Sequence, residues 1–189
     1  MKKDRKNIIL ESLAGMLEER NLSKITTAAL AKKSGITEAA LYRHFPSKRS
    51  IYAELFTFCD EAIFTKCNEL KKSKIASKEK VKNTYMFFML FVEKNKGFAR
   101  LLSREALSSN EQNVSDNVNQ FFERLELVLR QMLKESENEL RTQAGISAQL
   151  IVTLLEGNIS RFIRSKFKDS PSSYIENIWK ILEINIFKN

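Results

Sequence analysis

Glycine and proline are scarce in this chain, whose 189 residues include five glycines and two prolines. Both residues interrupt regular helices, so their scarcity argues against a chain dominated by tight turns. Leucine, lysine, glutamate, alanine and isoleucine are plentiful instead, and hydrophobic residues make up 43% of the sequence, enough for a packed core. Because apolar residues recur at helical spacing and no segment has the pattern of a strand, the sequence predicts an all-α fold.

Cysteine and histidine are also rare, with two cysteines and one histidine, His44. Cys59 and Cys67 lie eight residues apart on one predicted helix, too far apart to form a disulfide, so we expect both to be reduced and buried. The sequence shows no spaced set of metal ligands, no glycine-rich phosphate loop and no nucleophile paired with a base. It therefore predicts neither an enzyme nor a bound metal or other cofactor.

Long hydrophobic runs are missing as well. No segment has the roughly 18 apolar residues needed to span a bilayer. The start of the chain is basic, but its apolar run contains acidic residues, which is not typical of a signal peptide. We therefore expect a cytoplasmic protein.

Positive charge is present in excess and unevenly distributed. The formal net charge is +9, and residues 1–50 hold eleven Lys or Arg against five Asp or Glu, a balance of +6. The remaining residues hold 21 against 18, a balance of +3. This asymmetry predicts an anionic partner for the first quarter of the chain, with nucleic acid as the first candidate and an acidic membrane surface as the second. Charge alone is equally compatible with a solvated basic surface.

Nine helices are predicted from the hydrophobic periodicity, over residues 4–20, 28–34, 38–45, 48–70, 78–94, a short segment ending near 107, 118–133, 142–166 and 173–187. Serine or threonine precedes four of them, where its side-chain oxygen would cap free backbone amides: Thr26 or Thr27, Thr37, Ser47 and Ser77. Gly35, Pro46 and Gly97 are predicted to end the second, third and fifth helices.

Two short helices joined by a glycine-containing turn, with a longer helix before them, predict a helix-turn-helix motif in "ITTAALAKKSGITEAALYRHFPSK". Arg43 is expected to reach a guanine edge and Tyr42, His44 and Lys48 to reach phosphates, while helix starts direct amides and hydroxyls at phosphate oxygens. The alternative for His44 is a structural role in covering Pro46. The predicted DNA-contacting residues are Thr26, Thr27, Thr37, Ala39, Ala40, Tyr42, Arg43, His44 and Lys48.

The same segment, and the run "LYRHFPSK" in particular, resembles the DNA-binding domain of the TetR family. The resemblance implies a helix-turn-helix domain over residues 1–50 and a helical dimerisation and partner-binding domain over residues 51–189. It also implies a homodimer formed through the last two helices, so that two recognition helices read double-stranded palindromic DNA. More than one dimer per DNA site is possible on this reading.

Further segments along the body, among them "FFERLE", "LRQML" and "EGNISRFIRSKFK", resemble the nucleoid occlusion factors within that family. That narrower resemblance implies a nucleoid-associated protein that, when bound to chromosomal DNA, binds the FtsZ C-terminal tail and blocks division-ring assembly over the nucleoid. The residues that match the tail-binding positions are Phe58, Lys66, Phe87, Lys94 and Asn95. Lysine stands at 66 and 94 where arginine is common, which keeps the charge and loses the bidentate fork.

The run "YMFFMLFV" at residues 85–92 is apolar on every side of its helix and leaves three interpretations open. Neighbouring helices cover it completely, or Phe87 and its neighbours form the floor of a peptide groove. In the third, Tyr85, Phe88, Met89 and Phe91 line a small-molecule pocket, which would make the protein a ligand-gated repressor of the TetR type.

The last two helices mix large and small apolar residues, a composition that lets a partner helix approach closely. The predicted dimer interface consists of Leu150, Ile151, Leu154, Gly157, Phe162, Trp179 and Leu182. The alternative is that these residues form an internal core.

Overall fold

A computed structural model describes residues 4–19, 22–107 and 111–188 of the chain. Within these ranges it contains nine α-helices and no strand, which confirms the all-α prediction: α1 Arg5–Glu18, α2 Thr27–Lys33, α3 Glu38–His44, α4 Lys48–Lys72, α5 Ser77–Lys94, α6 Lys96–Leu102, α7 Gln112–Lys134, α8 Ala144–Arg164 and α9 Ile175–Ile186. An isolated bridge joins Leu140 to Phe187. None of the described helices is long and apolar enough to cross a membrane.

The predicted caps of the second, third and fourth helices are present. The side chain of Thr26 accepts a hydrogen bond from the amide of Ala29, and that of Thr37 accepts one from the amide of Ala40. Ser47 and Ser50 exchange side-chain and backbone hydrogen bonds at the start of α4. Gly35 has a φ of +67° after α2, a conformation that a residue with a Cβ rarely adopts.

Two predicted boundaries are wrong. Ser77 does not cap α5: it is the first residue of that helix, and its hydroxyl donates to the backbone carbonyl of Met132. Gly97 does not end α5, which ends at Lys94, but lies inside α6. The sixth helix ends at Leu102, earlier than predicted, and the seventh begins at Gln112. Part of the polar segment predicted between them, residues 108–110, lies outside the described residues.

The described residues form two compact units, the first comprising Met1–Asp60 and Asn95–Val118. Its core includes Leu13 and Leu17 of α1, and the rings of Phe56 and Phe98 pack 5.8 Å apart. A Cβ at Gly97 would lie only 2.7 Å from the carbonyl oxygen of Ala14, so α6 approaches α1 as closely as the absence of a side chain allows. The predicted division at residue 50 remains a prediction, since these units group residues by packing alone.

A polar chain of contacts also ties α6 to the helix-turn-helix within the first unit. Arg100 is buried, and its guanidinium donates to the backbone carbonyl of Glu19 at the end of α1. The carboxylate of Glu19 in turn lies 2.8 Å from the ammonium of Lys33 at the end of α2. The hydrogen bond from Lys33 lowers the pKa of Glu19 below its ordinary value.

The second unit comprises Glu61–Lys94 and Asn119–Asn189. Its core contains one face of α5, on which Val81, Tyr85, Phe88, Met89 and Val92 are all fully buried. The hydroxyl of Tyr85 accepts a hydrogen bond from the buried amide of Asn158 on α8. The unit therefore covers α5 along the side that carries these residues.

Candidate DNA-binding surface and partner-binding residues

Helices α2 and α3 pack through Leu30, Leu41 and Phe45, which are buried. Ile36, in the turn between the two helices, is half-buried. This packing directs the remaining side chains of α3 outward. The starts of α2, α3 and α4 therefore lie next to a surface that carries polar and basic side chains.

All nine predicted DNA-contacting residues are at least partly exposed. Five of them are exposed: Thr26, Thr37, Ala39, Tyr42 and Arg43. The other four are half-buried: Thr27, Ala40, His44 and Lys48. The side chain of His44 forms no hydrogen bond with another described residue, so its ring nitrogens are available to a ligand. The surface has the composition that phosphate and base contacts require.

One residue of this surface, Thr27, already forms a hydrogen bond to another side chain, which the sequence did not indicate. The hydroxyl of Thr27 donates a hydrogen bond to the carboxylate of Glu38, and the hydroxyl of Tyr42 lies 3.4 Å from the same Thr27 oxygen. Glu38 and Tyr42 are four residues apart on α3 and thus share a face of that helix. That spacing was visible in the sequence, but the position of Thr27 opposite that face was not.

Two lysines near the end of α3 lie over aromatic rings. The ammonium of Lys48 is 5.3 Å from the ring centre of Tyr52, and that of Lys6 is 5.6 Å from the ring centre of Phe45. Lys6, on α1, was not among the predicted contacts, because nothing in its local sequence indicates that α1 begins beside Phe45. These cation–π contacts hold positive charge close to the first turn of α4 and the end of α3.

The five predicted tail-binding residues divide between the two units. In the first unit, Phe58 has 63% of its surface exposed, and it lines a cavity together with Asn95. In the second unit, Lys66 lies 3.1 Å from Glu69 on the same helix, and Lys94 is exposed at the end of α5.

Phe87, in the second unit, is half-buried, and its ring centre lies 5.9 Å from that of Phe91. Residues 87, 91 and 94 follow the spacing of one helical face. One stripe of α5 therefore carries two partly exposed aromatic rings and then a positive charge.

The core accounts for most of the aromatic run at 85–92. Tyr85, Phe88 and Met89, three of the four residues considered for a small-molecule pocket, are completely buried within the second unit. Phe91, the fourth, is half-buried, as is Phe87. The complete-core interpretation therefore holds for one face of α5 and not for the face that carries Phe87 and Phe91.

The predicted dimer interface needs correction. Ile151, Phe162, Trp179 and Leu182 are at most 3% exposed within the second unit, so they have almost no surface left for a partner chain. Leu150 and Gly157 are exposed and Leu154 is half-buried. The sequence could not separate the two sets, since both are apolar or small and alternate along the same helices.

Solved structures share this fold over nearly the whole chain. The transcriptional regulator FadR from Bacillus subtilis, in complex with stearoyl-CoA, has a TM-score of 0.77 at 15% identity and covers 95% of this chain and 98% of its own. The ketosteroid transcriptional regulator KstR2 of Mycobacterium tuberculosis has a TM-score of 0.73 at 20% identity and covers 100% of this chain and 98% of its own. At these identities the likeness concerns the fold alone.

Family models match both parts of the sequence. The model "Bacterial regulatory proteins, tetR family" matches residues 9–55, and the SlmA-like "Tetracyclin repressor-like, C-terminal domain" matches residues 77–186. With the exposed helix-turn-helix surface described above, these matches define the chain as a DNA-binding regulator of the TetR family.

Relatives that match nearly the whole chain show to which group within the TetR family it belongs. The nucleoid occlusion factor SlmA of Vibrio campbellii is 38% identical over 98% of this chain and 97% of its own length. The factors of the same name from Marinobacter nauticus and Cronobacter sakazakii are 37% and 38% identical, each over 96% of this chain and over 95% and 94% of their own lengths. Within the TetR family, the chain belongs to the nucleoid occlusion factors SlmA.

Proposed function

We propose that this protein is a nucleoid occlusion factor that binds specific palindromic sites on chromosomal DNA and, in that state, binds the C-terminal tail of FtsZ and blocks division-ring assembly over the nucleoid. The observation that carries the proposal is the likeness to the SlmA factors over both the helix-turn-helix and the body. Such a likeness is more informative than a match confined to the DNA-binding segment.

The DNA-binding part of the proposal rests on the surface of α2, α3 and the first turn of α4. Its nine predicted residues are all at least partly exposed, and residues 1–50 carry a balance of +6. In this arrangement Arg43 reads a base edge, while His44, Lys48 and the capped helix starts contact phosphates. Thr27 and Tyr42 act together with Glu38, because the Thr27 hydroxyl donates to Glu38 and the Tyr42 hydroxyl lies 3.4 Å from the Thr27 oxygen.

Dimer formation belongs to the proposal because one short recognition helix reads few bases, and two copies read a palindrome. The second unit leaves large apolar side chains exposed on α8 and α9: Ile146 at 54%, Leu150 at 42%, Ile181 at 64% and Ile184 at 62%. Together with Gly157, they replace the four buried residues as the proposed contact surface. Sedimentation equilibrium of the purified chain measures this state directly.

The proposed FtsZ contacts are the five residues that the resemblance implies. Phe58 offers an exposed aromatic ring, and Phe87 and Lys94 offer an aromatic ring and a positive charge on one stripe of α5. Lys66 must leave Glu69 to bind an acidic group, but an exposed ion pair of this kind contributes at most about 1 kcal/mol. These groups suit a tail that combines apolar anchors with acidic residues.

The decisive experiment is a binding assay between purified FtsZ and this protein in three conditions: without DNA, with a palindromic site selected from random-sequence DNA, and with a scrambled site of equal length. We expect strong FtsZ binding only in the presence of the selected DNA site. FtsZ truncated before its C-terminal tail is the matched control. Equal FtsZ binding in all three conditions, or none in any, would contradict the proposal.

A further inference from the structure

A cavity of about 250 Å³ lies within the first unit, among α1, α4 and α6. Ligand pockets in proteins are commonly about 300–1,000 Å³, so this cavity lies just below that range and has room only for a small molecule. Its apolar wall consists of Leu10, Ala14, Leu55, Phe58, Cys59, Gly97 and Phe98. Burial raises the pKa of the Cys59 thiol to about 12, so the thiol acts here as an apolar, uncharged group.

The polar part of the cavity is acidic. Asn7, Glu11 and Glu18 line it from α1, at spacings of four and seven residues that place all three on one face of the helix. Among the described residues, no basic side chain lines this cavity, although residues 1–50 as a whole carry a balance of +6. Glu18 is exposed and forms no ion pair with another described residue. The cavity is therefore a local site of negative charge within a basic part of the chain.

An exposed aromatic ring stands at the same cavity. Phe58 has 63% of its surface exposed, which is unusual for a phenylalanine in a protein that buries most of its aromatic rings. A ring face next to carboxylates attracts an organic cation, because the ring quadrupole adds to the attraction of the carboxylates. An anion would be repelled by the carboxylates and by the negative face of the ring.

We propose that this cavity binds a small amphipathic cation, an aryl or alkyl group that carries one amine or guanidinium. The apolar portion lies against Leu10, Leu55 and Phe98, and the charged end lies toward Glu18, which lines the cavity and forms no ion pair with another described residue. None of the nine proposed DNA contacts lines this cavity, but Phe58 and Asn95 do, so the ligand site overlaps part of the proposed FtsZ contacts.

The test uses the intact protein without DNA or FtsZ and two probes that differ only in charge, 4-phenylbutylamine and 4-phenylbutyrate. Methyl NMR spectra are followed during each titration. The amine is expected to shift the signals of Leu10, Ala14 and Leu55 to saturation, and the carboxylate to leave them unchanged at the same concentrations. Equal binding of both probes, shifts confined to other methyl groups, or no saturable shift would overturn the proposal.

Charge variants provide the second arm of the test. Glu18→Gln is expected to weaken binding of the amine by about two- to fivefold, as the loss of an exposed charge pair should. Glu54→Gln removes the same charge from an exposed position on α4 that does not line the cavity, and it is expected to leave the affinity unchanged. If the two variants weaken the amine equally, the attraction comes from the overall charge of the protein and the proposed site is wrong.

Discussion

The hydroxyl of Thr27, in the first turn of α2, donates a hydrogen bond to the carboxylate of Glu38, the first residue of α3. A threonine hydroxyl has one proton, so in this arrangement Thr27 cannot also donate to a DNA phosphate. Its oxygen still accepts, and the hydroxyl of Tyr42 lies 3.4 Å away. The single acidic residue of α3 thus holds Thr27 in place, and Thr27 in turn lies within reach of Tyr42, a second predicted DNA contact.

Glu38→Gln should therefore change selectivity more than it changes overall affinity. A carboxylate near DNA repels every phosphate, and it also accepts a hydrogen bond from the amino group of cytosine. We expect the variant to bind random-sequence DNA more tightly and to lose part of its preference for a selected site. Fluorescence anisotropy with both DNAs at several salt concentrations measures the ratio. Glu54→Gln, with the same change in charge on α4, is the control and should keep the wild-type ratio.

Arg43 is exposed on α3 and is the residue expected to read a base edge. Arg43→Ala should weaken binding to the selected site by about 1–3 kcal/mol and relax discrimination at one base pair. Arg43→Lys keeps the charge but loses the bidentate fork, so it should also lose discrimination while keeping most of the affinity for random DNA. An equal loss on selected and random DNA for Arg43→Ala would instead assign Arg43 to the phosphate backbone.

Lys48 should contribute equally to the affinity for every DNA sequence. Its ammonium lies over the ring of Tyr52 at 5.3 Å, which holds the charge at the start of α4. Lys48→Ala is expected to weaken binding to all DNA sequences alike and to lower the slope of log affinity against log salt by about one unit. Lys72→Ala, at the other end of the same helix, should leave the slope unchanged. A loss confined to the selected site would show that Lys48 reads sequence.

The FtsZ contacts on α5 make a separate prediction. Lys94→Glu and Phe87→Glu are each expected to abolish FtsZ binding and to leave DNA affinity intact, whereas Lys134→Glu on α7 should affect neither. Because Phe87 is half-buried beside Phe91, its variant must also be shown to melt as the wild type does. Lys94 is exposed, so Lys94→Glu is not expected to change the melting temperature. If FtsZ binding survives both changes, the partner site lies elsewhere.

The sequence was sufficient to predict the existence of the helices and the caps of the second, third and fourth of them. Thr26 and Thr37 are recognisable because capping is local, and Gly35 because only a glycine readily takes the φ of +67° found there. The exposed set on α3 also followed from local periodicity. By contrast, Ser77 and Gly97 were assigned wrong roles, since their partners, Met132 and Ala14, are distant in sequence.

Dependence on distant packing partners also explains why the sequence did not predict which apolar residues of the last two helices are exposed. Trp179 and Ile184 are both apolar residues of α9, yet the first is 1% and the second 62% exposed. Local sequence indicates that such residues avoid water, but only the packing within the second unit decides which of them it covers. The link between Thr27 and Glu38 likewise depends on how α2 meets α3, which no spacing rule specifies.

Gly97 carries a prediction about stability. A methyl group at this position would lie 2.7 Å from the carbonyl oxygen of Ala14 and 3.2 Å from the Cβ of Leu17, so α6 would have to move away from α1. Gly97→Ala should lower the free energy of unfolding by about 1–3 kcal/mol, although alanine favours helix more than glycine does. Gly145→Ala, whose new methyl group would meet only the flexible side chain of Arg130 at 3.8 Å, should be neutral or stabilising. Urea unfolding of both variants compares them directly, and equal stability would show that α6 does not need glycine to pack on α1.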